Sequence, residues 1–233
     1  NRPSVALNPL PIAWEGDTRQ IPSFTQIRQT FQSACTNLAT FFPKARVVQF
    51  DRGAYDAVYA EIDAPRSRQQ QESELLQVGC QKYLANPVER GQRSSGFVEL
   101  LGVAKAKVLK AFSIVMLCIL SSLYRSQDKD KFAIGHKLLK PSQGYTEADA
   151  HNALSDLRHF EITALATGIF IDPPALITKD IALAALWTTL RPRGFTQGST
   201  LGMQLEIEPA LFNDLDQRAA ESVALVLQEH SRP

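Results

Sequence analysis

The chain has 233 residues, 44% of them hydrophobic and 21% charged, with a formal net charge of +1. That balance describes a globular chain able to enclose one large core or two closely packed lobes, and it excludes a disordered or collagen-like polymer. It also excludes a uniformly basic or acidic protein, because the charge is close to zero over the whole length.

In chain order, residues 1–21 carry Pro3, Pro9 and Pro11. Proline fixes φ and removes a backbone donor, so this stretch is expected to be an extended arm. Ile12 and Trp14 are its apolar anchors and the candidate assembly contact, and removing 1–17 is expected to leave a folded chain. Residues 22–233 are expected to form a mainly helical domain, either as one body or as two lobes meeting near 86–95. Ser23 with Gln26 makes a capping box. Phe24, Ile27, Phe31, Ala34, Cys35, Leu38 and Phe41 then follow at helical spacing until Pro43. Residues 46–62 read as a β-hairpin with Gly53 in its loop. A helix with a polar start follows Pro65.

The longest helical signal runs over about 97–124 and is expected to be a single buried central helix. Its first half has a solvated stripe through Glu99, Gly102, Ala106 and Lys110, whereas Ile114–Leu120 has no polar side. About fourteen apolar residues are too few for the roughly twenty that cross a bilayer, so burial in protein is favoured over a membrane span. Further on, Thr146 with Asp149 starts another helix, residues 162–171 suit helix or strand equally, and Thr178 caps a helix ending at Leu190. Residues 191–202, with Pro192, Gly194, Gly198 and Gly202, read as a loop. Residues 203–208 alternate as a late strand, and Pro209 opens the last helix. The fold class is therefore mainly α, built around the central helix, with a small hairpin and a late strand.

No spacing indicates a catalytic, cofactor or metal site. Glu147, His151 and His159 share a helix side, but two histidines eight residues apart lack the four-residue spacing of a zinc-protease helix. These residues and His136 are expected at the surface or in caps. The three cysteines, Cys35, Cys80 and Cys118, form no metal or disulfide pattern and fit buried free thiols. With no Asn-x-Ser/Thr site and no legible signal peptide, an intracellular setting is expected: cytoplasmic, organellar after removal of a leader ahead of Asn1, or a virus particle.

The charge distribution carries the functional reading. Residues 86–140 hold ten Lys/Arg against four Asp/Glu, and residues 141–233 hold six against twelve, giving +6 and −6. Such polarity suits a nucleic acid backbone or the docking of one subunit's basic side on another's acidic side. The candidate phosphate contacts are Arg90, Arg93, Arg125, Lys129, Lys131, Lys137 and Lys140, with Tyr124 or Phe132 as stacking rings. Arg191, Arg193 and Phe195 form a second candidate patch. The leading expectation is a non-catalytic subunit of a larger assembly, coat or nucleoprotein-like, whose partners are copies of itself or other subunits. The alternatives are a nucleic-acid-binding protein that uses 86–140 and an enzyme whose residues converge only in three dimensions.

Overall fold

The structure, a computed structural model, describes residues 5–16, 20–49, 66–110, 113–128, 131–169, 178–197 and 201–229. The fold is mainly helical, and it divides into two compact units, Asn1–Gln70 and Gln71–Pro233. Residues 86–95 lie inside the second unit.

In the first unit β1 (Ala6–Leu7) pairs in parallel with β2 (Arg46–Val47). The remainder of the expected hairpin, from Phe50 onward, lies outside the described residues. The proline-bearing arm is not extended throughout, for α1 spans Leu10–Glu15. Pro9 and Pro11 sit at the helix start, where a missing N–H removes no intrahelical bond. Gly16, at φ +66°, ends the helix by donating its N–H to the Ile12 carbonyl at 3.3 Å. α2 (Phe24–Phe41) begins with the expected capping box between Ser23 and Gln26. Ala13, Ile27 and Phe31 are buried together, and Leu10, Trp14 and Cys35 pack on them. Removing 1–17 would therefore take Ala13 and Trp14 out of this unit's own core, and the expected result is a loss of stability in the first unit.

The expected central helix is two helices. α3 (Arg66–Gly79), continued by a wider turn over Cys80–Leu84, precedes α4 (Arg90–Ala106) and α5 (Ile114–Leu123). Lys107 ends α4, Val108 takes a left-handed φ of +56°, and Ser113 restarts the helix by accepting the Met116 N–H at 3.2 Å. All ten residues of α5 are buried, as its apolar circumference requires. At about 1.5–3 kcal/mol for each large aliphatic side chain enclosed, this helix is the largest contributor to the second unit's core. Among the described residues no helix is long and apolar enough to cross a membrane.

α6 (Ile134–Leu139) crosses α5 at backbone distance. A Cβ at Gly135 would overlap the Cys118 carbonyl oxygen and lie 2.8 Å from the Ser121 Cβ. Ser121, the first polar residue of α5, fills the crossing: its hydroxyl accepts the Gly135 N–H at 3.1 Å and donates to the Leu211 carbonyl at 2.7 Å. α7 runs over Glu147–Ile169, capped by Thr146 and Asp149, and this settles the ambiguous stretch as helix up to Ile169. α8 (Ile181–Leu190) is capped by Asp180, not Thr178; the Asp180 carboxylate accepts the N–H groups of Ala182 and Leu183 at 2.7 and 3.1 Å.

The expected loop at 191–202 is largely strand. β3 (Pro192–Gln197) pairs antiparallel with β4 (Leu201–Leu205), and the register shifts between Arg193 and Phe195, at Gly194. The glycine that read as loop punctuation marks a bulge in a paired strand. Pro209 opens a single 3-10 turn, Pro209–Leu211, and the last helix, α9, begins later and spans Gln217–Glu229.

Candidate functional site

Two of the expected phosphate-binding arginines, Arg90 and Arg93, turn toward one carboxylate, that of Asp214. Arg90 grips Asp214 with two bonds, Nε to Oδ2 at 3.0 Å and Nη2 to Oδ1 at 2.7 Å. Arg93 is buried and donates from Nη1 to the same Oδ2 at 2.6 Å, from Nε to the Val88 carbonyl at 3.1 Å and from Nη2 to the Arg125 carbonyl at 3.1 Å. Asp214 also donates its backbone N–H to the Tyr124 carbonyl at 3.1 Å. The Arg90 bond, followed by the Arg93 bond, holds the Asp214 carboxyl below the usual carboxylate range against the opposing effect of desolvation.

Arg125 is buried one step further along. Its Nη1 donates to the carbonyls of Leu84 at 2.8 Å and Ser122 at 3.3 Å, both at helix ends that would otherwise leave acceptors unmet. Burial, then the nearby charge of Arg93, lowers its pKa. Tyr124 is enclosed edge-on between Phe97 and Phe212, with ring centroids at 6.5 and 6.4 Å. Arg93, Arg125 and Tyr124 thus face the interior, where they tie the ends of α3, α4 and α5 to the segment after Leu211. Part of the charge asymmetry in the sequence is neutralised inside the chain, since Asp214 belongs to the acidic stretch and Arg90 and Arg93 to the basic one.

The exposed part of the candidate set is Arg90, Lys131, Lys137 and Lys140, with Phe132 also exposed. Lys129 lies outside the described residues. Among the described residues Lys131, Lys137 and Lys140 form no ion pair, whereas Lys82 pairs with Glu99 and Lys107 with Glu74. His136, expected at the surface, is half-buried, with Nδ1 3.3 Å from the Ser122 hydroxyl. Burial, followed by the charges of Arg125 and Lys137, lowers its pKa from 6.5 to about 4.

A base whose folded pKa is depressed is neutral in the native state, so the unfolded chain binds the extra proton first as pH falls. His136 should therefore remove stability progressively between pH 6.5 and about 4. A His136→Gln variant should show a shallower loss of denaturation midpoint across that window, and an unchanged slope would remove His136 as the titrating group.

The remaining expected residues disperse. Glu147 is exposed, His159 half-buried and His151 buried, and among the described residues no group of three or more His, Cys, Asp or Glu is placed to hold a metal ion. Cys80 and Cys118 are buried free thiols and Cys35 is a half-buried one. Burial pushes the Cys80 thiol up to about 12, away from nucleophilic behaviour at neutral pH. Arg191 pairs with Glu208 at 3.1 Å, and Arg193 and Phe195 stand in β3. Ile12 stays 50% exposed on α1, while Trp14 packs against the cluster beneath it.

Sequence reading missed a buried ion triad. Arg158 on α7 donates from Nη2 to Glu72 Oε2 at 2.6 Å and from Nη1 to Glu161, with side-chain exposures of 9% for Arg158 and 2% for Glu72. Glu72 stands in the polar, glutamine-rich start of α3, and Arg158, 86 positions away, is a partner that local spacing does not reveal. No protein-family model matches the chain, and no curated protein and no solved structure matches it.

Proposed function

We propose that the chain is a non-catalytic interaction subunit of a larger assembly, coat or nucleoprotein-like, which meets copies of itself or other subunits through the outward face of α1. The observation that carries this reading is the division of labour within that short helix. Ala13 is fully buried and Leu10 and Trp14 pack on the cluster it forms with Ile27 and Phe31, which leaves Ile12 half exposed. A side chain presented from a helix already fixed underneath loses little freedom on docking, which keeps the entropic cost of association low. Apolar side chains held outward in this way are also a liability for a chain that stays alone.

Ile12→Asp places a charge on that face without touching the packed side. It should weaken self-association about tenfold or more, equivalent to roughly 1.4 kcal/mol, while helical circular dichroism stays unchanged. Light scattering across a dilution series reads the effect, and an unaltered mass distribution removes α1 from the interface. Trp14→Ala is the wrong probe, because it opens the cluster of Ala13, Ile27 and Phe31.

A second reading, binding of a nucleic acid backbone, is favoured by the three exposed lysines around α6. Lys131, Lys137 and Lys140 fall within ten positions and have no ion-pair partner among the described residues. Exposed, unneutralised cations attract phosphates irrespective of base sequence. Oligonucleotide affinity of a Lys131→Glu, Lys137→Glu, Lys140→Glu variant tests it.

A further inference from the structure

We infer that the end of α2 and the turn after it form a binding site for single-stranded nucleic acid, with Phe41 and Phe42 as base-stacking faces and Lys44 and Arg46 as phosphate partners. Sequence periodicity assigns Phe41 to the buried stripe of α2, but the packed part of that stripe ends earlier. Ile27, Phe31 and Ala34 are buried, while Phe41 is 79% exposed and Phe42 54% exposed. Phe41 ends α2 and Phe42 is its non-helical cap, at φ −124° and ψ 67°, so each ring is offered as an exposed π-face of its own.

The turn that carries them is fixed at both ends. Phe42 donates its N–H to the Leu38 carbonyl at 2.8 Å, Ala45 to Phe42 at 2.9 Å, Arg46 to Val5 at 2.9 Å and Val48 to Leu7 at 2.9 Å. The rings and cations are thus presented from a turn tied to α2 on one side and to the β1–β2 pairing on the other.

Charge selects the occupant. Residues 20–49 contain Arg28, Lys44 and Arg46 and neither Asp nor Glu. Lys44 and Arg46 are exposed, and among the described residues neither forms an ion pair. Interface cores between protein subunits are depleted in charged residues, lysine especially, whereas aromatic rings bordered by free cations match a chain of stacked bases and phosphates. Every base offers a π-face, so the site should be indifferent to sequence and should reject duplexes, whose bases are already stacked.

The inference does not depend on self-association. Its test is the fluorescence anisotropy of a labelled oligouridylate, single-stranded and as a duplex with oligoadenylate, at low and moderate salt. The intact chain should prefer the single strand. Phe41→Ala with Phe42→Ala should weaken single-strand affinity about tenfold or more while leaving the salt dependence in place. Lys44→Glu with Arg46→Glu should weaken it and flatten the salt slope by about 1.4, at roughly 0.7 per phosphate neutralised on a single strand. The second pair keeps the test decisive if the first disturbs folding, which circular dichroism reports.

Absence of binding at low salt overturns the inference, as does equal affinity for the duplex. So does a Phe41/Phe42 variant that keeps full oligouridylate affinity, whether or not it loses self-association or attachment to anionic vesicles, since the surface would then serve a protein or a lipid. If only the Lys131, Lys137 and Lys140 reversal lowers affinity, the strand lies elsewhere and the site at α2 fails. Ile12→Asp is the control that should change mass and leave oligouridylate binding intact.

Discussion

Gly135→Ala should destabilise the protein by more than about 3 kcal/mol, an unusually large effect for the addition of one methyl group. Small-to-large changes are tolerated when a flexible side chain can move aside, but here the obstacle is the backbone carbonyl of Cys118. Relief requires α6 to back away from α5. That movement would break the Gly135 N–H bond to Ser121 and loosen Ser121 from Leu211. Gly102 on α4 is the matched control, since a Cβ there meets nothing within 4 Å. Gly102→Ala should be neutral or stabilise by up to about 1 kcal/mol through helix propensity. Denaturant unfolding of both variants checks the pair, and a Gly135→Ala curve superimposable on the wild type would mean that the α5–α6 crossing is not as close as described.

Arg158→Met should cost about 3–5 kcal/mol, because it takes the Arg158 guanidinium away from the buried Glu72 carboxylate. Glu161, the second carboxylate on Arg158, is also part-buried and would lose the same partner. Removing the charge together with its counterpart is the informative comparison. The Arg158→Met, Glu72→Gln double variant should be more stable than the sum of the two single losses by at least about 1 kcal/mol, the coupling expected of groups in direct contact. If the changes add, or if Arg158→Met costs less than about 1 kcal/mol, water reaches the pair and it does not organise the packing of α3 against α7.

Local signals were legible where one stretch of chain decides its own structure. The Ser23 and Thr146 capping boxes, the amphipathic stripe of α2 and the enclosure of Ile114–Leu120 could all be read from residue spacing. The failures share a physical origin. At α1, prolines that forbid a helix interior are compatible with its first turn, so the same residues supported opposite readings. At 107–113 the central helix breaks through the left-handed backbone of Val108 and the cap at Ser113, and neither residue type announces a break. At 192–197 and 201–205 two of the glycines that suggest a loop, Gly194 and Gly202, stand in a bulged strand pair, because pairing between strands outweighs local preference.

The candidate site was less legible still. Its arginines looked like surface cations because their partner, Asp214, lies 124 positions from Arg90 and 121 from Arg93. Counts of charge along a sequence cannot distinguish a cation facing solvent from one paired across the fold. Arg90, Arg93 and Arg125 separate from Lys131, Lys137 and Lys140 only once the chain is folded. Phe41 shows the converse, a ring that periodicity places inside and the end of the packed stripe leaves outside.

The proposal that this chain is a subunit is tested most directly by the molar mass of the intact protein in solution, measured by light scattering from low to high concentration. A subunit should give a mass that is a multiple of 25.8 kDa and falls toward that value only on dilution. A mass of 25.8 kDa at every concentration would contradict it.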